Sequence, residues 1–489
     1  MAKGDRHHSE RPRIVGSPGS GRLLRASTAG LVVLVLVLAA AALQFDLGTR
    51  WFGWEEPSAQ EEPAEVAPPP GLSLPEPQLA PAVAEHTADR AADPAKVRRA
   101  VAKLVADKKL GKHVAVAVNQ LSDGTTLYDS GAGLVTPAST MKMLTSTAAL
   151  ESLGQGHRFR TTVVVGSKAK EIVLVGGGDP LLGSRPDAGA YPVRADVQTL
   201  ARAAAKKVHD LGMDKVRLGY DTSLFSGPAA SPDWPASYIT DNVVTPISAL
   251  WVDQGRGSAG TADGPPLDAT RAFAKELEKR DVKVMGAPRP AVAPADATEL
   301  AAVQSAPLEQ VVQYILEYSD NEGAEVLLRH VALAEGEPGS FKGGATALRS
   351  VLGRLGVDTA GETILDGSGL SREDRLRPGT LLSVIGLASS DELPHLRPVA
   401  TDLPVAGFTG SLEFRFETGA AEGLGRVRAK TGTLTGVHGL AGVTTTIDGA
   451  ELAFVAIADR VKVANTLDAR ATIDEITAAL AACSCAAAG

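Results

Sequence analysis

The feature that most constrains this 489-residue chain is a segment that cannot fold. Eight prolines fall between Pro57 and Pro81, interleaved with Glu55, Glu56, Glu61, Glu62, Glu65 and Glu76. Proline fixes φ and withholds an N–H, and like charges repel one another, so this stretch extends and cannot bury a core. Residues 46–92 therefore read as a linker, and any globular fold must be built from residue 93 onward. At roughly 150 residues per domain, that remainder has room for two or three domains.

What precedes the linker is of a different kind. Lys3, Arg6, Arg11, Arg13, Arg22 and Arg25 mark residues 1–25 as a basic tail. From Ala26 to Phe45 no charge occurs, and LVVLVLVLAAAAL at 31–43 is its densest part. About 20 helical residues span a bilayer core, and the flanking positive charge holds that end in the cytoplasm. Residues 26–45 are thus expected to form a transmembrane signal anchor, with the rest of the chain extracytoplasmic. Trp51, Phe52 and Trp54 resemble an interfacial anchor and favour retention. The small residues Ala39–Ala42 leave open a cleaved signal peptide, which would make the protein secreted.

Composition removes several classes. A net charge of −8 without a basic stripe argues against nucleic-acid binding. The two cysteines, Cys483 and Cys485, supply neither a disulfide scaffold nor a zinc site, and HExxH is absent. No metal and no cofactor is implied. A bridge between cysteines two residues apart would be strained. There is no GxSxG, so the α/β-hydrolase elbow is missing.

Beyond the linker, Asp93 can cap a helix carrying Val97, Val101, Leu104 and Val105. Strand-like runs HVAVAVNQ (113–120) and TTLYD (125–129) follow, then a helix over 138–152. From 161 to about 220 the pattern is strand, strand, helix, strand. Residues 221–300, rich in Pro, Gly and Ala, show no readable period. Two helices occupy 306–335. The chain ends as three strands, RVRAK, VHGLAGVTTTI and ELAFVAIA, and a helix over 465–482. This predicts an α/β (α+β) fold with an antiparallel sheet.

Ser-x-x-Lys occurs twice. Ser167–Lys170 lies between two strand runs and reads as a hairpin loop. Ser139–Lys142 begins a helix, where i and i+3 share one face and the helix N-terminus adds positive potential. A desolvated lysine beside other cations loses its proton near neutrality and can serve as base to the serine. Ser319-Asp320-Asn321 follows at the junction of two helices, and Lys430-Thr431-Gly432-Thr433 at the end of a strand.

The order SxxK, SxN, KTG resembles the penicillin-binding protein and serine β-lactamase superfamily, whose three motifs line one groove. Ser139 and Ser319 are 180 positions apart, more than a compact β-lactamase needs. GGGDPLL (176–182), YDTSLF (220–225), TPISALWVD (245–253), LDGSGLSR (365–372) and LPVAGFTGSLEFRF (403–416) are similar to the S13 peptidase type, the class C low-molecular-mass penicillin-binding proteins. The resemblance runs from about 95 to 482. It implies a DD-peptidase-like catalytic domain in two parts, 93–160 and 306–489, interrupted by an inserted α/β domain over 161–305. The insertion is short for that family.

The resemblance also implies a serine D-alanyl-D-alanine carboxypeptidase or endopeptidase acting on peptidoglycan stem peptides and captured by β-lactams. Ser139 would be the nucleophile and Lys142 its base. Ser319 would relay a proton to the leaving amine, while Asn321 would hold Lys142 and donate to the substrate backbone. Lys430, Thr431 and Thr433 would bind a terminal carboxylate, and Gly432 would let the substrate strand approach. The N–H groups of Ser139 and Thr433 would form the oxyanion hole. A β-lactamase and a non-catalytic wall-binding scaffold are the alternatives. Against the first, no Glu-x-x-Leu-Asn segment lies between 322 and 429; against the second, the motif residues are all kept. Asp366, Ser368 and Ser371 read as a Gly-rich turn, Arg415 as half of a buried ion pair, and His438 as a satisfied sheet histidine.

Overall fold

A computed structural model describes residues 90–131, 133–256 and 264–487. The basic tail, the uncharged run at 26–45 and nearly all of the linker lie outside these residues. Among the described residues, no helix is long and apolar enough to cross a membrane.

The chain runs α1 (Pro94–Val105), β1 (Val114–Gln120), β2 (Thr126–Asp129), α2 (Met141–Leu153), β3 (Arg160–Val165) and β4 (Glu171–Val175). It continues through α3 (Val197–Asp210), β5 (Lys215–Asp221), α4 (Gly264–Glu278), β6 (Lys283–Val284), β7 (Arg289–Pro290) and β8 (Glu299–Gln304). The last part holds α5 (Leu308–Tyr318), α6 (Asn321–Ala334), α7 (Phe341–Arg354), α8 (Pro378–Ser389), β9 (Arg428–Leu434), β10 (Val437–Thr445), β11 (Glu451–Ala458) and α9 (Thr466–Ala481).

Five strands form an antiparallel sheet in the order β2-β1-β11-β10-β9. Successive side chains of a strand face opposite sides, and β11 uses both sides fully. Ala453, Val455 and Ile457 enter the core beneath α2 and α5 to α8, whereas Leu452, Phe454, Ala456 and Ala458 pack under α1 and α9. That double burial explains why ELAFVAIA is apolar without alternation. Asp93 caps α1 by accepting from the Ala95 N–H at 2.8 Å, with Pro94 at the first helical position.

The ends of this unit are tied together. The Asp93 N–H donates to the Cys485 carbonyl at 2.7 Å, and Ala92 bridges Ala486. Cys483 and Cys485, whose pairing their spacing leaves open, are disulfide-bonded, and the chain past α9 brings their Cα atoms to 5.0 Å.

Residues 160–304 build a second sheet, β6-β5-β4-β3-β8, with α3 and α4 closing a core around Val163, Ile172, Leu200, Leu218 and Phe273. β4 and β5 are parallel, and α3 supplies the crossover that parallel strands require. The stretch without a readable period, 221–300, contains α4, β6, β7 and the start of β8. Two further helices, α7 and α8, were also not anticipated. α8 is apolar nearly all round (TLLSVIGLA), so it lacks the one-sided stripe that announces a surface helix.

The Ser139 motif opens on a tight turn. Ala138 has φ +47°, and Gly369 (φ +77°) comes so close that a Cβ there would lie 1.9 Å from the Ala138 carbonyl oxygen. Backbone cannot yield as a flexible side chain would. Gly369→Ala is expected to cost about 2 kcal/mol or more through combined clash and left-handed strain. Urea unfolding checks this; an unchanged midpoint would mean that the 365–372 loop moves freely away from the turn.

Candidate active site

Ser139 lies in a 3-10 turn (Ala138–Thr140) that leads directly into α2. The Thr140 hydroxyl donates to the Pro137 carbonyl at 2.7 Å and closes the turn. Every residue from Met141 to Leu150 is buried, so α2 is a central helix and the Lys142 side chain, in its first turn, is buried with it. Lys142 Nζ is 3.0 Å from Ser139 Oγ, 2.8 Å from Asn321 Oδ1 and 2.8 Å from the Ser368 carbonyl.

These three partners are not equivalent. The amide oxygen of Asn321 and the carbonyl of Ser368 can only accept, whereas a serine hydroxyl can donate or accept. A neutral Lys142 amine therefore gives its two N–H groups to Asn321 and Ser368, and its lone pair is left facing the Ser139 hydroxyl. Burial pushes the Lys142 amine down to about 8, while the carboxyls of Asp366, Glu325, Asp320 and Glu322 pull the other way.

Two of those carboxyls, Glu325 and Glu322, are themselves held back from ionising. Burial, then the charge of Asp366, raises Glu325, and burial followed by Asp320 raises Glu322. Glu325 accepts from the N–H groups of Gly367 and Ser368 at 2.8–3.1 Å and so fixes the loop that offers the Ser368 carbonyl to Lys142. Asp366 accepts from the indole of Trp234 at 2.7 Å and from the N–H groups of Gly369 and Ser371.

Ser319 ends α5 in the left-handed conformation (φ +58°), and Asn321 begins α6 after the capping carboxylate of Asp320. This sharp corner aims both side chains at one spot. The Asn321 amide also donates to the Val243 carbonyl at 3.0 Å, which leaves one of its two N–H groups for a ligand. Lys430, buried on β9, donates to Ser319 Oγ at 2.8 Å and to the Thr431 carbonyl at 3.1 Å. Burial, then the nearby charge of Lys142, drives the Lys430 amine well below its ordinary value. Among the described residues, it meets no carboxylate.

β9 is the edge of its sheet, so part of its backbone is free to pair with an extended ligand. Thr433 is exposed there. Gly432 has a packing reason of its own: its missing Cβ would lie 2.8 Å from the Pro137 carbonyl oxygen, close to Ala138 and Thr140. Glycine is needed on the inner side, where β9 packs on the Ser139 turn, and this packing sets Thr433 beside that turn. A cleft of about 590 Å³ opens alongside, lined by Tyr314, Tyr318, Ser319 and Asn321.

All three motifs thus converge, joined by two lysine hubs. Sequence reasoning missed three contributors: Glu325, the backbone carbonyl of Ser368, and Ser411, whose hydroxyl is 3.0 Å from Thr431 Oγ1. The segments around Ser368 and Ser411 were noted, yet no residue signal distinguishes a carbonyl or a neighbouring hydroxyl. Ser167 sits in the exposed β3–β4 loop, away from the cluster. Arg415 is buried and pairs with Asp474 through both its Nε and terminal nitrogen. His438 is buried on β10, but its Nε2 has no partner, so it is a sheet histidine that is not satisfied. Among the described residues, no His, Cys, Asp or Glu group is placed to hold a metal.

The comparisons agree with this geometry. The sequence matches the D-Ala-D-Ala carboxypeptidase 3 (S13) family over residues 97–265 and 257–480. It is 37% identical over 426 residues to a carboxypeptidase of Mycobacterium tuberculosis, covering 83% of this chain and 88% of that one. It is 34% identical over 471 residues to carboxypeptidase DacB of Mycolicibacterium smegmatis, covering 93% and 96%. In fold it is similar to penicillin binding protein 4 from Haemophilus influenzae, with a TM-score of 0.64 at 22% identity, covering 77% of this chain and 99% of that one. A mixed α/β chain with an antiparallel sheet, three converging motifs and relatives of matching length belongs to the D-Ala-D-Ala carboxypeptidase 3 (S13) family.

Proposed function

We propose that this protein is a serine D-alanyl-D-alanine carboxypeptidase/endopeptidase that cleaves peptidoglycan stem peptides through an acyl-enzyme and is inhibited by β-lactams. The observation that carries the reading is the Lys142–Ser139 contact, with both other lysine partners restricted to accepting. Ser139 attacks the acyl carbon and Lys142 receives its proton. The N–H groups of Ser139 and Thr433 meet the oxygen on which charge develops. Lys430, with Thr431 and Thr433, holds the terminal carboxylate. That carboxylate supplies the countercharge Lys430 lacks and draws its amine back toward the protonated form. Ser319, bonded to Lys430, passes a proton to the leaving amine. Glu325 is not free to position a hydrolytic water, because its oxygens are taken by the 367–368 backbone. This supports a long-lived β-lactam adduct.

Residues 26–45 are read as a signal anchor that keeps the catalytic unit outside the cytoplasm, with 46–92 as spacer and 161–305 as an insertion between catalytic parts 93–160 and 306–489. The basic flank, the aromatic residues Trp51, Phe52 and Trp54, and an extracytoplasmic substrate class support this.

Intact-mass analysis after penicillin is expected to show one adduct on the peptide containing Ser139, absent in Ser139→Ala and unaltered in Ser167→Ala. Labelling that survives Ser139→Ala overturns the assignment. Acylation is expected to rise roughly fivefold from pH 7 to 8, as the Lys142 amine passes from mostly protonated to half neutral, and to flatten above. Stopped-flow acylation rates across pH check this, and Lys142→Ala should both slow the reaction by orders of magnitude and remove the rise. A chain of residues 90–489 is expected to leave the membrane fraction while keeping its acylation rate; retention in that fraction would exclude the anchor.

A further inference from the structure

A second cavity lies along α5, the helix that ends at Ser319. It measures about 220 Å³ and is lined by Arg158, Arg194, Ser305 and Gln310. Both arginines carry an unneutralised charge: among the described residues, neither forms an ion pair. Arg158 donates to the Ser305 carbonyl at 2.7 Å and is otherwise exposed. Arg194 has a buried Nε with no partner, and its guanidinium carbon sits 5.2 Å from the centre of the Tyr314 ring. Arg194 does act on the carboxyl of Asp179 through its charge. That group is buried, accepts from the Leu181 N–H at 2.9 Å, and is pushed up to about 7 by burial. It is a poor neutraliser.

This cavity is connected to the catalytic cleft by one face of α5. Residues 310, 314 and 318 are four apart and lie on the same side of the helix. Gln310 lines the dibasic cavity, Tyr314 and Tyr318 line the cleft beside Ser319, and the two tyrosine rings are 5.0 Å apart. Tyr318 is 58% exposed. From Gln310 to Ser319 the helix rises about 13 Å. An extended peptide covers that distance in about four residues.

We propose that the Arg158–Arg194 cavity is a subsite for a carboxylate carried by the peptide substrate about four residues before the scissile bond, with the intervening chain lying along Tyr318 and Tyr314. A planar guanidinium pair suits a carboxylate, and the unpartnered Nε supplies a donor already free of water. The inference rests on the peptidase reading and adds a determinant of which peptides are preferred.

The test compares two pentapeptides ending in D-Ala-D-Ala, one with a free side-chain carboxylate on its first residue and one with that group as the amide. Wild-type protein is expected to favour the acid about tenfold in kcat/KM, mainly through KM. Arg158→Gln and Arg194→Gln should each remove most of this preference and leave turnover of the amide peptide and penicillin acylation of Ser139 unchanged. Arg158 is exposed, so its variant decides the matter if Arg194→Gln fails to fold. Equal turnover of acid and amide by the wild type, or a preference kept by Arg158→Gln, overturns the subsite and leaves the peptidase reading standing. A wild type that forms the penicillin adduct yet cleaves neither peptide, or forms no adduct, overturns both.

Discussion

Two lysine amines, Lys142 and Lys430, are buried in one cluster whose direct partners are all neutral oxygens. Taking a single ammonium out of water without a countercharge is expensive, and two in proximity disfavour each other. The structure responds by lowering the proton affinity of both rather than by pairing either with a carboxylate. Two of the four carboxyls that act on Lys142, Glu325 and Glu322, are buried as well and are pushed toward the protonated form. A neutral Lys142 is a base, and Lys430, which meets no carboxylate among the described residues, is an anion receptor. One electrostatic arrangement therefore prepares both halves of the reaction.

Holding that arrangement takes atoms from far along the chain. Trp234 bonds Asp366, the Val243 carbonyl accepts from Asn321, the Thr245 N–H donates to Glu322, and Gln254 bonds Asp320. All four belong to the Pro- and Gly-rich stretch that shows no periodicity. Its residues Val244, Ile247 and Trp251 pack with Val326, Phe341 and Leu370 in a small core next to the site. The segment between the first and second motifs is thus more than an appended domain: its second half forms one wall of the catalytic cluster. Irregular backbone is suited to this task, because it exposes carbonyl and N–H groups that a regular strand or helix would consume internally.

The geometry of the nucleophile depends on close backbone approach. The left-handed turn at Ala138 is flanked by Gly369 on one side and Gly432 on the other, and a Cβ at either position would collide with the 137–138 carbonyls. Strain of this kind persists only where packing over-determines it, which the buried α2 helix and the β9 edge together provide.

What the sequence by itself determined was local. The strand runs of the antiparallel sheet and the helix start at Ser139 follow from periodicity and end signals, which act between near neighbours. The three motifs were legible for the same reason: each is a short string, and each sits at a predictable element end. Tertiary structure alone decided the rest. That Lys142 would find Asn321 and the Ser368 carbonyl, that Glu325 would clamp the loop beneath it, and that Ser411 would reach Thr431 depend on contacts across 20 to more than 200 positions of chain. Such contacts leave no periodic trace, because desolvation and hydrogen-bond geometry are properties of assembled surroundings. The glycine at 432 makes the difference plain. Its identity could be read, but that its bare face packs β9 on Pro137 was set only when the two segments met.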